Sequence, residues 1–156
     1  MYQWGRAADG HQCRNSATTA TLSSTDQPGH GNFILSQNSP YDWRNPQNTN
    51  LWQGVNGVNN PCPIGYRLPT SSEFEQELLS WSSQDSTGAI TSVLKLPLAG
   101  IRSNGNGAIF FTNSDAYYWT SSIEYSNSQA MYFYSDWSGM LVRSRGIAQS
   151  VRCIKE

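Results

Sequence analysis

One segment of this sequence carries a complete signal for the start of a helix. Thr70 is a good N-cap residue and Glu73 follows three residues later, so the two form a capping box. Apolar residues then recur at helical spacing and are expected to face a core, namely Phe74, Leu78 and Trp81. The pattern predicts a helix over about residues 71–82.

Short strands separated by turns are predicted after this helix. Residues 91–101 form an apolar strand or turn segment, and Asn-Gly pairs then signal hairpin turns before a second short strand at 108–111. Strand-forming residues recur at 117–120, 130–134, 140–143 and 150–154, with a turn at Ser138-Gly139. One capped helix before four short antiparallel strands predicts an α+β domain, a single one over residues 1–156.

Composition excludes several classes of protein. The ten basic residues form no run, so no nucleic-acid partner is expected, and no apolar stretch is long enough to insert into a membrane. The first six residues lack the apolar core of a signal peptide. Only 13% of residues are charged, whereas six are Trp and eight are Tyr, which argues against disorder and is similar to antibody contact surfaces.

Four segments, in this order, resemble the Fibrobacter succinogenes major paralogous domain. They are residues 2–11, 60–74, 118–122 and 150–155, and the most specific part is the Arg-Leu-Pro-Thr-x-x-Glu-Phe stretch at 67–74. That family is similar to the formylglycine-generating enzymes. The resemblance implies a C-type-lectin-like fold of that subtype, loop-rich with a small antiparallel sheet and one or two helices. Family members usually carry a further segment ahead of the part that resembles residues 2–6.

The sequence has three cysteines, and their pairing stays open from sequence alone. Three free thiols and one disulfide are both compatible with the spacing. Cys62 and Cys153 lie in the two segments that most resemble the family, which implies that they lie near each other, bonded if the compartment is oxidising. Cys13 is then left over in a polar loop.

No catalytic residues, metal ligands or cofactors are expected. Formylglycine-generating enzymes use two cysteines close together near the carboxyl end, where this chain has only Cys153. His11 and His30 do not have metal-ligand spacing with a cysteine or carboxylate, and the late carboxylates fit solvated loops better than a glycosidase pair. The sequence triplets of calcium-dependent lectins are also missing.

The region from Tyr117 to Arg145 is rich in Tyr, Trp, Ser and Asn, which suit adaptable contact surfaces. Strand alternation directs Met131 and Phe133 to the core, and therefore directs Tyr132 and Tyr134 outward. The other interpretation of this aromatic row is ordinary cross-strand pairing on a twisted sheet.

Proteins diversified by retroelements resemble this chain, because they place variable residues near the carboxyl end of a lectin-like fold. An Asn codon randomised at its adenines yields residues such as Tyr, Ser, Asp and Ile and never a stop. We expect one exposed ligand-binding patch, with the loop 122–129 at its rim, formed by Ile123, Tyr125, Asn127, Tyr132, Tyr134, Asp136, Trp137, Arg143 and Arg145.

The function predicted from these features is that of a non-catalytic, retroelement-diversified binding module. Its expected ligand is a protein or glycan on another cell or virion, and its expected location is a virion or cell surface. The alternatives are a structural surface or envelope domain without a diversified site, and a carbohydrate-binding module.

Overall fold

The computed structural model describes residues 1–156 as strands and loops with two short helices. The helices are α1 (Ser71–Ser80) and α2 (Ser86–Thr91). Only three of the eleven strands exceed two residues, β7 (Ala116–Glu124), β8 (Asn127–Tyr134) and β9 (Trp137–Arg143). The others are β1 (Tyr2–Gln3), β2 (Thr18–Thr19), β3 (Phe33–Ile34), β4 (Tyr66–Arg67), β5 (Ile101–Arg102), β6 (Ile109–Phe110), β10 (Ala148–Gln149) and β11 (Ile154–Lys155). The α+β class is confirmed. Neither helix is long and apolar enough to cross a membrane.

Helix α1 begins where the capping box predicts. The Thr70 hydroxyl oxygen accepts from the Glu73 backbone N–H at 3.3 Å, and the Glu73 carboxylate accepts from the Thr70 N–H at 2.8 Å. The helix ends at Ser80, earlier than predicted, because Trp81 adopts an extended conformation while its side chain stays in the core. Helix α2 agrees with the one or two helices that the resemblance implies, but its position was not predicted, since its six residues carry no helical apolar pattern. The Asp85 carboxylate caps it.

Strands β7, β8 and β9 form an antiparallel sheet closed by two tight turns. The pairs Glu124–Asn127 and Tyr134–Trp137 leave two residues in each turn. The predicted loop over 122–129 is therefore wrong, because most of it belongs to β7 and β8. The predicted turn at Ser138-Gly139 is also wrong, because both residues lie inside β9.

The remaining predicted strands are shorter than expected. Strand structure over 91–101 is confined to the start of β5 at Ile101, and over 150–154 to the start of β11 at Ile154. The strand predicted at 108–111 is present as β6, paired antiparallel with β5. Loops therefore carry most of the chain around the long sheet.

The two faces of the β7–β8–β9 sheet have different environments. The inner face carries Met131 and Phe133, both fully buried against α1 and α2, as strand alternation predicts. The opposite face, called the open face below, carries Ala130, Tyr132 and Tyr134 on β8. Near Ala130 the open face is covered by a second core cluster that includes residues of the amino-terminal segment, among them Trp4, Trp43 and Trp52.

The amino-terminal strand is held to the carboxyl-terminal part of the chain, and the last strand is held to its middle. Strand β1 pairs with β10, and β4 pairs with β11. Cys62 and Cys153 form a disulfide with their Cα atoms 5.7 Å apart, which confirms the expected proximity, while Cys13 is free and exposed.

His11 is buried in the amino-terminal part of the fold. Its Nε2 accepts from the Gln3 backbone N–H at 3.1 Å, and its Nδ1 lies 2.6 Å from the Asp9 carboxylate. Burial lowers the pKa of His11 from 6.5 to about 4. The ring is therefore neutral in the folded protein, donating through Nδ1 and accepting through Nε2.

We predict that His11 makes the fold sensitive to mild acid. A lowered pKa means that the contribution of His11 is complete above pH 6.5 and is lost as the pH falls towards 4. The free energy of unfolding of the wild type should fall by on the order of 2 kcal/mol through this group between pH 7 and pH 4.5. Urea denaturation across this range should show the fall, with a shallower slope in His11→Gln.

His30→Gln is the matched control, because His30 lies in an exposed loop. It should keep the pH slope of the wild type. Equal slopes in the wild type and in His11→Gln would contradict the prediction.

Candidate ligand-binding surface

Four aromatic side chains form a continuous row on the open face of the sheet. Tyr117 lies opposite Tyr132 across β7 and β8, and Trp137 lies opposite Tyr134 across β8 and β9. The ring centroids of Tyr117 and Tyr132 are 4.6 Å apart, those of Tyr132 and Tyr134 5.5 Å, and those of Tyr132 and Trp137 5.8 Å. We call Tyr117, Tyr132, Tyr134 and Trp137 the aromatic row.

The row becomes more exposed along its length. Tyr117 is buried, Tyr132 and Tyr134 are half-buried, and Trp137 is 44% exposed. The cross-strand pairing interpretation therefore describes the inner end of the row, whereas the outer end at Trp137 faces solvent. Such half-exposed aromatic residues combine a large apolar area with few rotatable bonds.

Asp115 fixes the middle of the row. Its carboxylate accepts a hydrogen bond from the Tyr132 hydroxyl at 2.7 Å and another from the Ser114 hydroxyl at 2.5 Å. Burial, followed by the hydrogen bond to Asp115, raises the pKa of Tyr132, and burial raises the pKa of Tyr117. Both phenols are therefore neutral at physiological pH and act as hydrogen-bonding groups.

Gly139 provides the space that Trp137 occupies. A Cβ atom at residue 139 would lie 2.3 Å from the indole Cη2 and 2.5 Å from Cζ2. The six-membered ring of Trp137 therefore packs closely against Gly139, while Trp137 as a whole remains 44% exposed. The pair Ser138-Gly139, which the sequence suggested as a turn, therefore lies within a strand, and its glycine makes room for the Trp137 ring.

The predicted patch is split between the two ends of the sheet. Tyr132, Tyr134, Asp136 and Trp137 surround the turn between β8 and β9. Three more lie at the turn between β7 and β8, with Ile123 42% and Tyr125 91% exposed and Asn127 half-buried. The eight residues of β8 lie between the two turns, and the seven steps from Asn127 to Tyr134 correspond to about 23 Å. The expectation of one continuous patch is therefore wrong.

The two arginines of the predicted patch have different environments. Arg143 is half-buried on the open face, and its guanidinium lies 5.4 Å from the centroid of the Tyr117 ring. Arg145 is only 1% exposed, and its guanidinium stacks on Trp4 at 4.5 Å. It donates to Ser128 Oγ and to the backbone oxygens of Asn48 and Asn127 at 3.2–3.3 Å. The prediction that Arg145 belongs to an exposed patch is wrong, because it is a structural link.

Sequence reasoning missed two residues of this surface, Tyr117 and Asp115. Tyr117 belongs to a predicted strand, but its position opposite Tyr132 depends on a register that shifts between Trp119 and Ile123. No sequence signal marks that irregularity. Asp115 is one of the late carboxylates that were expected in solvated loops, and its contact with Tyr132 follows from the same register.

The aromatic row lies on the open face of the sheet, outside the clefts of the molecule. The clefts of the molecule are lined by other residues, such as those of the loop 27–31 or of the outer side of α1. No group of three or more His, Cys, Asp and Glu side chains is arranged to hold a metal ion. Small-molecule sites are usually concave, so an aromatic surface outside the clefts is better suited to a macromolecular ligand.

No protein-family model, curated protein or solved structure matches this chain.

We predict opposite outcomes for the two arginines. Arg145→Met should destabilise the fold by about 3 kcal/mol or more, because the buried Asp42 carboxylate, 3.9 Å from Arg145, would lose its nearest cation. Arg143→Met should change stability by less than about 1 kcal/mol, because it loses only a partly exposed cation–π contact. Chemical denaturation of both variants measures the difference. Equal losses would contradict the distinction between a structural and a surface arginine.

Proposed function

We propose that this protein is a non-catalytic binding module whose aromatic row contacts a protein or glycan on another cell or virion. The observation that carries the proposal is the contrast between Trp137 and the other five tryptophans. Those five are buried, and each donates its indole N–H to an acceptor within the protein. Trp137 is 44% exposed and has no such acceptor. An exposed Trp with an unused donor is typical of a contact residue.

The proposed contact residues follow the two ends of the sheet. Tyr132, Tyr134, Asp136 and Trp137 form the main contact around one turn. Ile123, Tyr125, Asn127 and Arg143 form a second group towards the other turn. Arg145 has no direct part in this proposal, because its guanidinium is occupied inside the protein.

The proposal includes a C-type-lectin-like fold of the formylglycine-generating-enzyme subtype. Two features support it, the pairing of the terminal strands β1 and β11 with β10 and β4, and the position of the long sheet near the carboxyl end. The absence of catalysis is supported by the use of two reactive side chains for structure. Cys153 is bonded to Cys62, and His11 is hydrogen-bonded on both ring nitrogens.

Diversification by a retroelement is supported by the backbone at Tyr125. This residue has φ 54°, in the left-handed region that bulky side chains avoid and that Asn tolerates. An Asn codon randomised at its adenines can give Tyr. A tip position suited to Asn but occupied by Tyr is compatible with a diversified codon, and Tyr41, Trp52 and Phe111 have the same backbone conformation outside this region.

We predict that replacing both Tyr134 and Trp137 by Ser abolishes ligand binding with little effect on stability. Both side chains are partly exposed, so the melting temperature should fall by only a few degrees. The wild type and the variant would be compared on arrays of peptides and of glycans, with melting followed by circular dichroism.

The matched control is Leu79→Ser with Val93→Ser, which removes two apolar side chains that are 82% and 86% exposed and lie outside the β7–β8–β9 sheet. This control should bind the same array features as the wild type. A large fall in melting temperature for the Tyr134/Trp137 variant would show that the row belongs to the core. Array binding that persists in that variant, or its absence in the wild type, would overturn the proposed function.

We predict that the gene lies near a template for its own variation. Sequencing of the flanking DNA should find a near-identical copy of the 3′ part of the coding sequence beside a reverse transcriptase gene. The two copies should differ mainly where the template has adenine, including the codons for Tyr125 and Tyr134. Absence of such a copy would leave a binding module of fixed sequence.

A further inference from the structure

Three polar groups at the outer end of the aromatic row have no partner within the protein. They are the Asp136 carboxylate, the Tyr134 hydroxyl and the Trp137 indole N–H, all grouped at the turn between β8 and β9. The Tyr132 hydroxyl, further along the row, is already occupied by Asp115. The chain therefore offers acceptors and a donor beside an exposed ring at this end only.

The electrostatics of this end favour a cation. Aromatic faces carry negative potential, and the Trp137 ring, which packs against Gly139, remains 44% exposed. Asp136 directly precedes Trp137 and forms no ion pair, and Asp115 lies along the row, also without an ion pair. A cation on the exposed Trp137 ring would thus have an unpaired carboxylate on the adjacent residue.

The same row already takes a guanidinium at its inner end. Arg143 lies over Tyr117 at 5.4 Å, and three further arginines, Arg6, Arg102 and Arg145, lie over aromatic rings at 4.3–5.7 Å. A guanidinium is planar, is weakly hydrated and donates in a fixed fork, so it can stack on an indole while donating to a carboxylate. An ammonium group cannot stack in this way.

We propose that Trp137, Tyr134 and Asp136 form a subsite for an arginine side chain of a protein partner. The guanidinium stacks on the exposed Trp137 ring and donates to the Asp136 carboxylate, next to the Tyr134 ring. This inference rests on the proposed function and specifies an arginine side chain as the group that the surface binds.

The test uses the capped peptide acetyl-Gly-Arg-Gly-amide as the probe and the whole chain labelled with ¹⁵N. The six indole N–H signals are recorded during titration, and Trp137→Phe assigns the sixth by its loss. The Trp137 signal should shift saturably while the five buried indoles stay in place, which also reports an intact fold. The matched peptide with citrulline has the same shape without charge, and should bind at least about threefold more weakly, since an exposed cation–π contact contributes modestly.

Asp136→Asn is the matched protein variant, because it removes the charge at an exposed turn and keeps the shape. It should weaken the arginine peptide about threefold, as for an exposed ion pair, and leave the citrulline peptide unchanged. No shift at Trp137, or equal binding of the two peptides, would overturn the subsite. A Trp137 shift with methyl glycosides and none with arginine would also overturn it, and would assign the ring to a glycan.

The two proposals fail separately. Loss of the arginine effect together with array binding that depends on Tyr134 and Trp137 would keep the binding module and remove only the arginine subsite. Absence of both would remove both.

Discussion

The carboxamide of Gln3 holds together segments that are far apart in the sequence. Its Nε2 donates to the backbone oxygens of Ile34 and Gly146, both at 2.8 Å, and its Oε1 accepts from Arg6 at 2.8 Å and from the Ile34 N–H at 3.2 Å. The side chain is fully buried. Because most strands have only two residues, buried backbone groups in the loops must find partners among side chains. The Gln3 carboxamide hydrogen-bonds three segments at once, and this link holds the loops together.

The amino-terminal loops that Gln3 links determine which part of the β7–β8–β9 sheet stays uncovered. Trp4 packs in the cluster that covers the open face at Trp119 and Ala130, and Arg145 stacks on Trp4 while it bonds the start of β8. The amino-terminal loops do not extend to the turn between β8 and β9, so Trp137 is left at the surface. The exposed end of the aromatic row is therefore a result of how far the amino-terminal loops reach along the sheet.

Local patterns predicted what depends on local structure, and the rest depended on contacts between distant segments. The capping box located the first helix, and strand alternation correctly assigned Met131 and Phe133 to the core. Gly139 appeared to mark a turn, because the sequence does not distinguish a glycine that makes room for an indole ring from a glycine in a hairpin turn. Arg145 appeared to be a surface charge, since two of its partners, Asp42 and Asn48, precede it by about a hundred positions. For the site, outward parity identified Tyr132 and Tyr134, but the strand register that adds Tyr117 has no local signal.

The separation of the two sheet turns limits the size of partner that can use both. A standard protein interface buries roughly 800 Å² on each side, which corresponds to a footprint roughly 30 Å across. Such a footprint spans the distance from Tyr125 to Trp137, whereas a short peptide covers one turn only. Substitutions at Tyr125 would then alter the fit of a folded partner at its margin and leave a peptide held at Trp137 undisturbed. The sheet can thus offer two contact sites to a large ligand and a single contact site to a small one.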